Sequence, residues 1–421
     1  MKRILVSLLL LVPVALWAQI PQEEALKADI QENIWRAGMN MDPYEYLPGV
    51  QTPAPKGYQP FYISHYGRHG SRSNWGGKFY EYVQSLWTKA AEGGVLTPEG
   101  LAAKEQIDEA IRLHDNMDGR LTPLGAQEHR EIAGRMYEHY PQVFKKGSKR
   151  LTARSSTVPR VLVSMAAFTG ELLSRQGDLQ ISWDTGEEIM KLVSTDSPKS
   201  LRDTVNRILA KRAKEFVPDT AAFQKRVFTD PVKGRELTGD PVQLMLFTFN
   251  MGSTCAAFGL DDRLFRLFSL DELCHYEQDL AIDFYLRQCN SAEFGEQRMG
   301  SVNPLISDII ELADAAIATG ETAADLRFGH DFQLLALGAR LGLEGVGNRY
   351  TQEECVSWPG WRYTPFAGNI QLIFFRDKKG NVLVKPLLNE RETRIIGLEG
   401  GPYYTWDAIK GYLKENWPKE D

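Results

Sequence analysis

Residues 58–66, YQPFYISHY, are aromatic and β-branched enough to form a buried strand, and they run without a break into Gly67-Arg68-His69-Gly70-Ser71-Arg72. A strand that ends in a polar, glycine-bearing loop is the strongest constraint in this chain, because open α/β sheets bind ligands at the carboxyl ends of their strands. The loop sets one imidazole between two guanidinium groups. Arginine forks match phosphate oxygens better than any other side chain. A histidine between them can attack a phosphorus whose charge they neutralise. A surface basic cluster would use the same letters, but Gly70 argues for a site, since it lets the backbone approach an oxyanion closely. These residues predict a phosphate-ester hydrolase with a histidine nucleophile.

The rest of the chain supplies an α/β frame. Residues 77–92 have Tyr80, Val83 and Leu86 on one helical face, and Thr122-Pro123 caps and opens a helix reaching residue 140. Residues 150–153 read as a short strand and 161–173 as a helix. From 199 to 319 the pattern is mostly helical, with amphipathic stretches at 200–217 and 302–318 and an apolar core stretch at 244–258. Strand signals return at 325–328, before a helix at 333–343, and at 369–375 and 382–388, which flank the turn residues 377–381 as a hairpin. The expected architecture is an α/β three-layer core with a mostly parallel central sheet flanked by helices. Residues 58–180 and 320–421 would form this core within a catalytic domain spanning 58–421, and 181–319 would be an inserted helical cap. Residues 19–57, polar and proline-bearing, read as an arm wrapped on the surface.

The amino terminus reads as an export signal. Lys2-Arg3 precedes an apolar run to Trp17, with Ala18 as a small residue for cleavage, so 1–18 would be removed. That run is shorter than the roughly 20 residues a membrane span needs. A secreted or periplasmic location follows. Losing Lys2 and Arg3 takes the formal charge from −6 to −8, a poor balance for binding nucleic acid, so an anionic partner would need a local basic pocket. Cys255, Cys274, Cys289 and Cys355 fit no zinc spacing, and one or two disulfides are expected in an oxidising compartment.

Two further groups can carry chemistry. Arg154 and Arg160 flank Ser155-Ser156-Thr157-Val158-Pro159; Arg160 would stand at a helix amino terminus, where free N–H groups already favour anions. Gly329-His330-Asp331 follows a short strand. A lone histidine is commonly a hydrogen-bonded core residue, but ester cleavage expels an alkoxide that needs a proton. A carboxylic acid beside a polyanion, with its pKa raised, can supply one.

Taken together, the Arg68-His69-Gly70-Ser71-Arg72 run, the Arg160 segment leading to Phe168, and Gly329-His330-Asp331 resemble the histidine acid phosphatases, the second branch of the histidine phosphatase superfamily. That family includes phytases, acid phosphatases, glucose-1-phosphatases and multiple inositol polyphosphate phosphatases. The resemblance extends from residue 58 to residue 392 and takes in Leu121-Thr122-Pro123-Leu124-Gly125 and Val384-Lys385-Pro386-Leu387-Leu388-Asn389-Glu390. It implies His69 as nucleophile, a phosphate clamp of Arg68, Arg72, Arg160 and His330, Asp331 as proton donor, and no cofactor or metal. Phe168, eight residues on, selects Arg160 over Arg154 as the clamp arginine. Two features depart from the pattern. Ser73-Asn74 stands where the family's first motif runs to a proline. Leu326 to His330 and the hairpin are similar to the inositol polyphosphate branch, whereas Asp331 is similar to the phytases and acid phosphatases. The resemblance favours inositol polyphosphates such as phytate over sugar phosphates or broad acid phosphatase activity. A mutase, a binding protein without turnover and a structural envelope protein are the alternative classes. Arg202, Lys211, Arg212 and Lys214 could hold a highly phosphorylated ring, but read better as the solvated face of a helix.

Overall fold

The computed structural model describes residues 21–74 and 77–416. The expected signal, 1–18, lies outside the described residues. The strands are β1 (Gln59–Arg68), β2 (Arg150–Ser155), β3 (Gln180–Thr185), β4 (Ala324–Gly329), β5 (Asn369–Arg376), β6 (Val382–Leu388), β7 (Arg391–Glu392) and β8 (Tyr404–Thr405). They form one sheet in the order β3-β2-β4-β1-β5-β6-β7, with β8 also on β6. The half carrying the sequence motifs, β3-β2-β4-β1, is parallel. From β1 to β5 and onward the pairing is antiparallel, and β5–β6 is the expected hairpin, closed through the 377–381 turn.

The alternation along β1 sets the layers. Ile63 packs on one face with Leu326 and Phe328 of β4 and with Ile132, Met136, Val161, Phe168 and Leu172 from the helices Pro123–His139 and Pro159–Arg175. Tyr62 and Tyr66 face the other way, into a core shared with Leu334, Leu337, Ile306, Tyr285 and Phe374. On that face β4 presents Asp325 and Arg327, which are buried but paired. Tyr62 donates to Asp325 at 2.7 Å, and Arg327 binds Asp308 of the helix Asn303–Thr319 through Nε at 2.7 Å. Helices on both faces of a sheet give the three layers expected.

Four expectations are corrected. First, β3 lies in the stretch expected to be helical cap. It is an exposed edge strand of six residues, QISWDT, whose alternation of Ile181 and Trp183 with polar residues is too short to stand out beside the helical stretch that follows. Second, the helices Gly77–Glu92 and Pro98–His114 join Thr220–Val227 and Pro241–Cys255 in a separate helical core through Tyr80, Val83, Trp87, Ile107, Phe223 and Phe249. The helical mass is therefore built from two stretches of chain rather than from 181–319 alone. Third, the amino-terminal arm is not a surface wrap: Leu26, Ile30, Ala37 and Met39 are buried in the cores. Its helix Glu23–Glu32 lays one apolar edge, residues 26 and 30, against the protein. All four cysteines are buried free thiols, against the expectation of disulfides; each fills a core site as a small apolar side chain. No helix among the described residues is long and apolar enough to cross a membrane.

Candidate active site

Parallel pairing brings three strand ends together. Arg68 is opposite Gly329 and Ser155 is opposite Phe328, so β1, β4 and β2 finish side by side. The next residues, His69, His330 and Ser156, are held there by His69 N–H to Gly329 O at 3.1 Å and Ser156 N–H to Phe328 O at 3.1 Å. The His69 and His330 rings lie edge to face with centroids 5.7 Å apart. Ser156 Oγ is 3.2 Å from His330 Nε2 and orients that ring. Arg160 is the second residue of the helix Pro159–Arg175, and this helix reaches the motif loop through Ser164 Oγ, which accepts from Gly70 N–H at 3.1 Å.

The motif loop is fastened to the entry of the helix Pro123–His139. Thr122 caps that helix by accepting from Gly125 N–H, and its own N–H donates to Ser71 O at 2.9 Å. The Glu128 carboxylate accepts from Ser71 N–H at 2.7 Å and Ser71 Oγ at 2.6 Å. Gly125 and Gly70 allow this contact: a Cβ on Gly70 would sit 2.3 Å from Gly125 O. Asn74, where the family pattern has proline, has its N–H 3.5 Å from His114 Nε2, a donor that a proline would lack.

The electrostatics suit an anion. Arg68, Arg72 and Arg160 are all buried. Burial and then the Arg68 and Arg160 charges push Arg72 down to about 9. Burial lowers Arg160 to about 10, with Arg68 adding to the effect and Asp331 opposing it. Such crowding of like charge is relieved by a dianion. Arg68 Nε and Nη2 are buried without hydrogen-bond partners; Nη2 lies 2.9 Å from Asp331 Oδ2, near but off the hydrogen-bonding direction. The Phe366 ring lies beneath this group, 4.7 Å from the Arg68 guanidinium carbon and 6.0 Å from the His69 ring.

His69 is fixed in a reactive form. Its Nδ1 is 3.0 Å from Gly70 O; a carbonyl only accepts, so Nδ1 carries the proton and Nε2 keeps its lone pair. Burial, then Arg68, Arg72 and Arg160, hold its pKa well below the ordinary value. Burial lowers His330 to about 4, Asp331 opposing and the arginines adding to it. Asp331 stands under opposing influences. Burial raises its pKa, but Arg68, a hydrogen bond from Asn40 and His330 outweigh burial and hold it below the ordinary carboxylate value. The expected rise beside a polyanion would therefore need that negative charge to be present.

All six residues singled out, Arg68, His69, Arg72, Arg160, His330 and Asp331, gather at these strand ends. Arg154 does not: it binds Asp308 at 2.6 Å as part of the buried pairing with Arg327. Arg202 and Arg212 pair with Asp196 and Asp279, and Lys211 and Lys214 are exposed, as a solvated helix face predicts. Reading the sequence missed Asn40, Phe366, Glu128 and Ser156. Only Glu128 had a visible signal, a charge in the second helical turn beyond the Thr122 cap.

Residues 67–237 match the family model of the histidine phosphatase superfamily (branch 2), the branch the motifs resemble. The fold is that of the Bifidobacterium longum multiple inositol polyphosphate phosphatase: its complex with phosphate gives a TM-score of 0.68 at 18% identity, over 90% of this chain and 97% of that one. The same enzyme bound to inositol hexasulfate gives 0.64 over the same shares at 18% identity. The phytase from D. castellii gives 0.64 at 16% identity, over 91% of this chain and 86% of that one. A search of curated proteins finds no match.

Proposed function

We propose that this protein hydrolyses phosphomonoesters in two steps, through a phosphohistidine on His69. The observation that carries the reading is a neutral imidazole, its Nε2 lone pair kept by the Nδ1 contact with Gly70 O, set among three buried arginines with Asp331 beside one of them. In the first step Nε2 of His69 bonds to phosphorus in line with the departing ester oxygen. The P–O bond breaks and Asp331 gives that oxygen a proton. In the second step Asp331 takes a proton from water, the water oxygen bonds to phosphorus, and the P–N bond breaks. Phosphate is freed and His69 returns neutral. Arg68, Arg72, Arg160 and His330 hold the non-bridging oxygens and balance the charge that builds on them. Because guanidinium groups neutralise this charge, activity is expected to survive EDTA.

Inositol polyphosphates are the substrate class this reading favours, supported by the fold shared with proteins named as an inositol polyphosphate phosphatase and a phytase. Export through residues 1–18 would place the enzyme in the periplasm or outside the cell. The test is phosphate release from phytate, glucose 1-phosphate and an aryl phosphate, by the purified protein and by His69→Ala. Phytate turnover lost in the variant supports the proposal. Turnover of the other two esters with phytate untouched overturns the substrate class, and activity in His69→Ala overturns the nucleophile. A mature amino terminus after Ala18 supports export, and an intact Met1 contradicts it.

A further inference from the structure

We infer that Asn40, on the amino-terminal segment and outside the three strand-end motifs, is a positioning residue for proton transfer, tying Asp331 and Arg68 into one unit and leaving Oδ1 of Asp331 as the oxygen that carries the proton. The inference rests on the phosphatase reading above. Asn40 is the last residue but one of the short helical segment Ile34–Met41, directly after Met39, whose φ of 52° with ψ of −109° is a conformation non-glycine residues seldom take. Met39 is buried, so the chain is bent sharply where it presents Asn40 to the site.

Both ends of Asn40 are engaged. Its backbone oxygen accepts from Arg68 Nη1 at 2.6 Å, the same nitrogen that donates to Thr364 O at 2.8 Å. Its side-chain Nδ2 donates to Asp331 Oδ2 at 3.0 Å. The amide has to present its nitrogen here, since an ionised carboxylate only accepts. Oδ2 therefore accepts a hydrogen bond from Asn40 Nδ2 and stands against the Arg68 charge, with Nη2 at 2.9 Å. Oδ1 accepts one hydrogen bond, from the N–H of Phe332 at 2.9 Å, and keeps its second lone-pair direction. A proton bound for the leaving oxygen belongs on Oδ1.

The groups whose charge acts on Asp331 come from several elements: Arg68 at the end of β1, Arg72 in the motif loop, Arg160 on its helix, His330 on the adjoining backbone, and Tyr66 of β1. Asn40 acts with Arg68, His330 and Arg72 to favour the ionised form against burial. Removing its amide raises the proton affinity of Asp331 and lets Oδ2 compete for the proton. Asp331 is acid in the first step and base in the second, so both limbs of the kcat–pH profile report on it.

The test uses the full chain, with an aryl phosphate at saturation, in Asn40→Ala and the isosteric Asn40→Asp. Asn40→Ala is expected to move both limbs up by about one pH unit and lower kcat about ten-fold at the wild-type optimum. Inhibition by inorganic phosphate should change less than about three-fold, because the clamp keeps its backbone contact. Asn40→Asp sets a like charge against Oδ2 and moves the limbs further in the same direction. In an Asp331→Asn background the Asn40→Ala displacement should disappear. Limbs that stay in place in both variants overturn the inference, as does a loss of phosphate binding that parallels the loss of kcat. An active His69→Ala is a different result, which overturns the phosphatase reading itself.

Discussion

Gly125 is where the architecture makes its sharpest demand. It is the third residue of the helix Pro123–His139, and helix propensity alone favours alanine over glycine inside a helix by about 1 kcal/mol. A methyl there would sit 2.2 Å from Ser71 O and 2.7 Å from Ser71 N. A carbon and a carbonyl oxygen in contact need about 3.3 Å, so one chain has to retreat by about 1 Å. The opposing atoms are backbone, and Ser71 is held by Thr122 and Glu128, so no side chain can swing aside. Overpacking of this kind costs about 1–3 kcal/mol. Ser71 lies between His69 and Arg72, and a misplacement of about 1 Å at reacting groups costs about 10²-fold in rate. Gly125→Ala is therefore expected to lower kcat on an aryl phosphate about 10²-fold and to lower Tm. A variant with wild-type kcat and a raised Tm would refute the close approach and leave propensity as the governing effect.

Other outcomes follow from the buried charges. His65 and His129 are driven down to about 3 by burial, and in the unfolded chain they titrate near 6.5. The unfolded state thus binds more protons between these values, and stability that is complete above 6.5 drains as pH falls toward 3. At pH 4.5 the loss is about 2–3 kcal/mol for each histidine, to be read from urea denaturation across this range; flat stability would contradict the assignment. Arg160→Ala should cut kcat/KM by about 10²-fold or more with little change in Tm, whereas Arg154→Ala should lower Tm by weakening the Asp308 pairing and leave kcat/KM near wild type. The reverse pattern would exchange the two roles.

What was legible in the sequence is what local chemistry dictates. The strand feeding Arg68, the Thr122-Pro123 helix start and the 377–381 hairpin each announce themselves within a few residues. The three motifs met because all follow strands that the sheet pairs in parallel; spacing could not show this, and the family resemblance supplied it. The amino-terminal arm was misjudged because its burial is tertiary: Leu26 and Ile30 are few apolar residues in a polar, proline-bearing stretch, and nothing local reveals that Asn40 reaches a residue 291 positions away. Phe366 looks like any core phenylalanine until the arginines are seen above it. The helix Pro98–His114, which escaped the reading, carried the same Thr-Pro start as its neighbour, with Thr97 as the cap. The strand β3 did carry a period of two, with Ile181 and Trp183 between polar neighbours, but over six residues that signal is short and was absorbed into the helical stretch after it.

The central claim is that His69 becomes covalently phosphorylated during turnover. Mixing enzyme with an aryl phosphate, quenching within milliseconds in alkali, where phosphohistidine survives, and sequencing the peptides by mass spectrometry tests it directly. A phosphoryl group is expected on His69, accumulating in Asp331→Asn with a good leaving group and absent in His69→Ala. A phosphoryl group on any other side chain, or turnover with His69 never modified, would contradict it.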